Sequence, residues 1–196
     1  MTKWNFTQRT RVIIQAILLL TTFFSIINIS NAQSISNSPV QLQYALPQSY
    51  PAPEFQGINN WLNSPPLTLQ SLKGKVVLLD FWSYTCVYCY KAMPHLNDWY
   101  NKYSSQGLVI IGIHNFDNPI DNNVAKVEQV VQAYGMQYPI AMDNDSVMWR
   151  QYNPQYWPST FLIDKNGNIV YSHIGQGAYN IIENNIRVLL NQNASE

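Results

Sequence analysis

The chain has 196 residues, of which 11 are basic and 11 acidic, so its formal charge is zero. That balance, with no basic cluster along the chain, argues against nucleic acid as a partner. At 46% hydrophobic residues, the chain has apolar surface for one real core plus some additional sequence.

In chain order, the first 32 residues differ from the rest. Lys3, Arg9 and Arg11 give a positive start, and Val12 to Ile29 is mainly apolar and uncharged. Ser30-Asn31-Ala32 then offers a small-x-small cleavage pattern. This is the layout of a signal peptide over residues 1–32, cut after Ala32. The apolar run is also long enough for a retained anchor helix. Both readings place the folded part outside the cytoplasmic membrane, in the periplasm or its equivalent. No cysteine follows the run, which excludes a lipoprotein anchor.

Residues 33–50 are rich in Ser, Asn, Gln and Pro without a period and read as a flexible leader. A single domain is expected over residues 51–192. Trp61-Leu62 and Leu67-Thr68-Leu69 are expected as short strands around the Ser64-Pro65-Pro66 turn. Val76 to Trp82 is an apolar run broken only by Asp80, the pattern of a central strand buried on both faces. A helix should start at Cys86, with Met93, Leu96, Tyr100 and Tyr103 on its apolar side and Pro94 as a kink. Gly107 is its expected stop.

Leu108 to Ile113 reads as a second buried strand, followed by a loop with Asn115, Asp117 and Pro119. Val124, Val127, Val131 and Tyr134 mark a helix ended by Gly135. Ile140–Met142 is a short strand and Ser146–Tyr152 a short helix. Asp164-Lys165-Asn166-Gly167 joins the runs 160–163 and 169–173 as a hairpin. Ile182, Ile186 and Leu189 define a last helix. Strands alternating with helices predict an α/β fold, with a mostly parallel central sheet covered on both faces and an antiparallel hairpin at its end.

The chain has two cysteines, both in Cys86-Val87-Tyr88-Cys89. A bridge between residues three apart closes a tiny loop and constrains the unfolded chain little, so a structural staple explains the pair poorly. Reversible redox chemistry explains it well. At a strand-to-helix junction, free N–H groups and the helix dipole stabilise a thiolate at Cys86. Cys89, one turn deeper, is placed to resolve a mixed disulfide. A zinc site would need two further Cys or His ligands at suitable spacing, and His95, His114 and His173 do not supply them. Haem attachment would require His at position 90, which is Tyr90.

The series Asp80-Phe81-Trp82-x-x-x-Cys86-x-x-Cys89, then Pro94 and Trp157-Pro158-Ser159-Thr160 before a hairpin, resembles thioredoxin. The extra helix near 121–134 points to the TlpA-like, extracytoplasmic branch. Pro53-Glu54-Phe55, the segment Trp61 to Leu67, Asp143-Asn144-Asp145 and Tyr156-Trp157-Pro158 are similar to the thioredoxin-like domain of DipZ-type proteins. The resemblance covers about residues 51 to 190. It implies a central mixed sheet flanked by helices and an N-terminal extension. It further implies a cis Pro158 facing Cys86, a Trp157–Pro158 backbone that seats an extended substrate, and a proton relay from Asp80 to Cys89.

The implied activity is dithiol–disulfide exchange with protein thiols or disulfides, without metal or organic cofactor. A membrane electron donor would supply a reductant of this kind. Val87-Tyr88 replaces the usual Gly-Pro of thioredoxin, so thioredoxin's low potential does not carry over. Trp82, Tyr84 and Tyr88 surround the pair and could either dock substrate or, for Trp82, pack the core. Two other functions share the fold. A copper chaperone would use both thiolates with His173 or His114, although the Sco-type spacing Cys-x-x-x-Cys is absent. A thiol peroxidase would place Pro and Thr ahead of its cysteine, and here Thr85 stands without the proline.

Overall fold

The computed structural model describes residues 48–116 and 123–193. The expected signal or anchor, and the leader up to residue 47, lie outside the described residues, as do residues 121–122 of the inserted-helix region.

Seven strands form one mixed sheet: β1 (Tyr50–Pro51), β2 (Asn60–Leu62), β3 (Val76–Trp82), β4 (Leu108–His114), β5 (Ile140–Met142), β6 (Ser159–Ile163) and β7 (Asn168–Ile174). Their spatial order is β1-β7-β6-β3-β4-β5-β2. All seven residues of β3 are buried, as its apolar run predicts. Strand alternation divides them between two cores. Val77, Leu79 and Phe81 pack with Ile111, Ile113 and Phe161 on one face. Val76, Leu78 and Trp82 pack with Ile110, Met93 and Leu96 on the other. Each such side chain contributes about 1.5–3 kcal/mol through burial.

β3 pairs parallel with β4, from Val76 opposite Leu108 to Trp82 opposite His114. Parallel neighbours need a crossover, and α1 (Val87–Tyr103) supplies it. Ala92, Met93, Leu96 and Trp99 recur at helical spacing and are buried, while Pro94 lies exposed inside the helix. A 3-10 turn, Ser104–Gln106, intervenes before Gly107, whose φ of 104° ends the segment. α2 (Val124–Ala133) and α4 (Tyr179–Asn191) contribute Val127, Val131, Ile182, Ile186 and Leu189 to the same face as α1. α3 (Val147–Tyr152) covers the opposite face through Met148 and Tyr152.

The expected fold class, thioredoxin-like α/β with a mixed sheet and flanking helices, is borne out by this arrangement. Two expectations were not. The sheet is not mostly parallel: β3–β4 and β4–β5 pair parallel, whereas β1–β7, β2–β5, β3–β6 and β6–β7 pair antiparallel. Leu67–Leu69 forms no strand. The Glu54 carboxylate accepts from Leu69 N–H at 2.6 Å, and Thr68 and Ser71 bond each other's backbone, so these groups are taken before a ladder could use them. β1, from Tyr50, pairs antiparallel with β7.

Candidate active site

The site forms where the central strands end. β3 runs out into Ser83-Tyr84-Thr85 and then Cys86, which is the N-cap of α1. Cys86 N–H donates to Ser83 C=O at 3.0 Å, making a tight turn before the helix. The Cys86 sulfur accepts the N–H of Cys89 at 3.1 Å, one of the donors that a helix start leaves without an intrahelical partner. The cysteines are joined as a disulfide with their Cα atoms 5.3 Å apart. Cys86 is half-buried and Cys89 is 1% exposed. Only one sulfur of the pair is therefore open to a partner.

Asp80 lies two residues before Trp82 on the face covered by α1, where Cys89 is also buried. Burial raises the Asp80 carboxyl to about 7, opposed by a hydrogen bond of 3.4 Å donated by Thr160 Oγ1. A carboxyl with that value can take up or release a proton near neutral pH. Asp80, Thr160 and His173 are opposite one another on β3, β6 and β7 and form one polar row.

Phe81 pairs with Ser159, which places Trp157-Pro158 beside the end of β3. The Trp157–Pro158 bond is cis. Gly175 N–H donates to Pro158 C=O at 2.7 Å, and Trp157 Nε1 donates to Asn115 Oδ1 at 2.7 Å. A cleft of about 480 Å³ opens along this loop, lined in part by Asn115, Phe116, Trp149, Tyr156 and Trp157.

The four expected docking residues separate. Tyr88 is 58% exposed beside the disulfide. Tyr84 and Trp157 are half-buried. Trp82 takes the core position that was its other reading: it is 1% exposed, because strand alternation turns it under α1, where it lies across Gly112. Two exposed apolar residues absent from the sequence expectation, Tyr156 and Ile174, adjoin the proline loop. Their signal in the sequence is position alone, directly before Trp157 and opposite Ser159.

His114, weighed above as a copper ligand, is buried, and its Nε2 accepts Tyr84 N–H at 3.2 Å. Burial lowers its pKa to about 3. Thr85, the residue that suggested a peroxidase, shares a 3.0 Å hydrogen bond between its hydroxyl and that of Ser83 within the loop.

Residues 49–172 match the model of the AhpC/TSA family. The chain is similar to Protein DipZ of Mycobacterium bovis, 40% identical over 171 residues, covering 85% of this chain and 24% of DipZ. It is similar to the thiol-disulfide oxidoreductase ResA of Bacillus anthracis, 36% identical over 115 residues, covering 59% of this chain and 64% of ResA. A crystal structure of a thioredoxin-like superfamily protein superposes with a TM-score of 0.69 at 25% identity, covering 74% of this chain and 99% of that one. The chain thus spans about a quarter of the length of DipZ. The resemblance to a TlpA-like, DipZ-type thioredoxin-like domain is borne out.

Proposed function

The chain belongs to the AhpC/TSA family, and from that premise we propose that it is an extracytoplasmic thiol–disulfide oxidoreductase that reduces disulfides in protein partners. The observation that carries this reading is the asymmetry of the pair: Cys86 half-open at the N-cap of α1, bonded to a buried Cys89.

In the reduced protein, Cys86 is the attacking thiolate, held by the N–H groups and dipole of the helix start. It attacks a partner's disulfide. One partner sulfur leaves as a thiolate, and the other joins Cys86 in a mixed disulfide. Cys89 gives its proton to Asp80 and attacks the Cys86 sulfur, releasing the second partner thiolate. Two electrons pass to the partner, and the Cys86–Cys89 disulfide is restored to its starting point for re-reduction. Trp157, Pro158, Tyr88 and Tyr84 seat the partner segment against Cys86.

The exported location rests on the sequence of residues 1–32, whether that segment is removed or kept as an anchor. The direction rests on the family branch, whose reductants draw electrons from a membrane donor. Equilibration of the pair against glutathione and dithiothreitol buffers measures its potential. A value nearer to about −270 mV than to about −120 mV would support the reductant, and one near about −120 mV would make the protein an oxidant.

A further inference from the structure

The end of β4 reaches both halves of the site. Asn115 N–H donates to Trp82 C=O at 3.2 Å, and His114 C=O accepts from Asp143 N–H at 2.8 Å, so this dipeptide continues the sheet pairing on both sides. From that fixed backbone the two side chains engage opposite loops. His114 Nε2 accepts the N–H of Tyr84, two residues before Cys86. Its ring also stacks on the Tyr84 ring at 5.7 Å with an interplanar angle of 2°. The Tyr84 carbonyl is held in turn by the Tyr90 hydroxyl from α1. Asn115 Oδ1 accepts from Trp157 Nε1 beside Pro158.

We propose that His114 and Asn115 are positioning residues that hold the Cys86 loop and the Trp157–Pro158 loop in fixed relation across the substrate groove. The proposal rests on the exchange reaction described above and extends it. His114 fixes the turn that presents Cys86 at the helix start, and so governs thiolate stability. Asn115 fixes the opposite wall, and so governs how tightly a partner segment is seated. His114 does this as a neutral acceptor. With Nε2 accepting, the ring hydrogen belongs on Nδ1. Neither residue touches the reacting sulfurs.

The two halves give different kinetic signatures. His114→Leu removes the acceptor. The Cys86 thiolate titration, followed by ultraviolet absorbance, should move upward, and kcat for a disulfide peptide should fall about fivefold, the effect of one lost hydrogen bond. His114→Gln places a carbonyl oxygen near the Nε2 position and should restore both. Asn115→Ala and Trp157→Phe should each raise KM about fivefold with the Cys86 titration unmoved, and the double variant should add nothing to either. Stability losses with unchanged titration, kcat and KM would overturn the proposal.

Nitrogen NMR of the wild-type ring keeps the question open to test even if His114→Leu fails to fold. A protonated Nδ1 and bare Nε2 are expected, and the reverse tautomer would overturn the His114 half. A wild-type protein inert toward all disulfide peptides would instead refute the exchange reaction, while the tautomer would still decide the contact.

Discussion

Asp80 sits in an environment far from that of a free side chain. Burial disfavours its charged form, and the 3.4 Å contact from Thr160 offsets only part of that cost. The sign of its effect on stability follows. Its folded pKa of about 7 lies above the ordinary carboxyl value of 3.8, so between these two values the folded protein binds a proton that the unfolded chain has lost. Stability therefore falls as pH rises from about 4 to about 7, and the whole penalty is present above 7. That penalty is at most about 4 kcal/mol. Asp80→Asn should consequently stabilise the disulfide form at pH 8 by up to about that amount, and scarcely at pH 4, in denaturant titrations. In the exchange reaction the same variant should flatten the rate profile near pH 7. An unchanged rate and profile would remove Asp80 from the mechanism.

At the scale of elements, β4 shows what packing demands of one position. A Cβ on Gly112 would lie 2.8 Å from Ile140 Cδ1 and 3.0 Å from Trp82 Nε1. Gly112→Ala should therefore cost about 1–3 kcal/mol through overpacking and shift Trp82 fluorescence, readable together in a thermal melt. The main elements were legible because their signals are local. The apolar run of β3, the helical spacing of Met93 and Leu96, and Asn166-Gly167 each declare themselves within a few residues.

What escaped the sequence depends on distant backbone groups. Ser146 has the side chain of a helix cap, yet it sits left-handed at φ 55° and caps nothing. Asp143 instead accepts from Met148 and Trp149 N–H at the start of α3. A two-residue strand such as β1 has no alternation to read. The contact of His114 left no mark in the sequence because its partner is a backbone N–H thirty positions earlier, and a backbone donor carries no residue-type signature.

For the whole molecule, the sheet separates roles. One face with α1, α2 and α4 buries Cys89, and the end of the central strands gathers Cys86, Trp157-Pro158 and the His114-Asn115 pair. Exposed Val87, Tyr88, Tyr156 and Ile174 ring that end, an apolar surface suited to an extended partner segment. The cysteine pair and its order along the chain were readable at once, since two cysteines in one motif leave few alternatives. The shape of the surface around them was not, because it is assembled from α1, the proline loop and the hairpin.

The most direct measurement of the account is trapping. Reduced Cys89→Ser and reduced Cys86→Ser are each mixed with a peptide disulfide, and the adducts are mapped by mass spectrometry. Cys89→Ser should accumulate a stable mixed disulfide on Cys86, and Cys86→Ser should stay largely unmodified because Cys89 is buried. Equal adduct formation through Cys89, or none through Cys86, would contradict it.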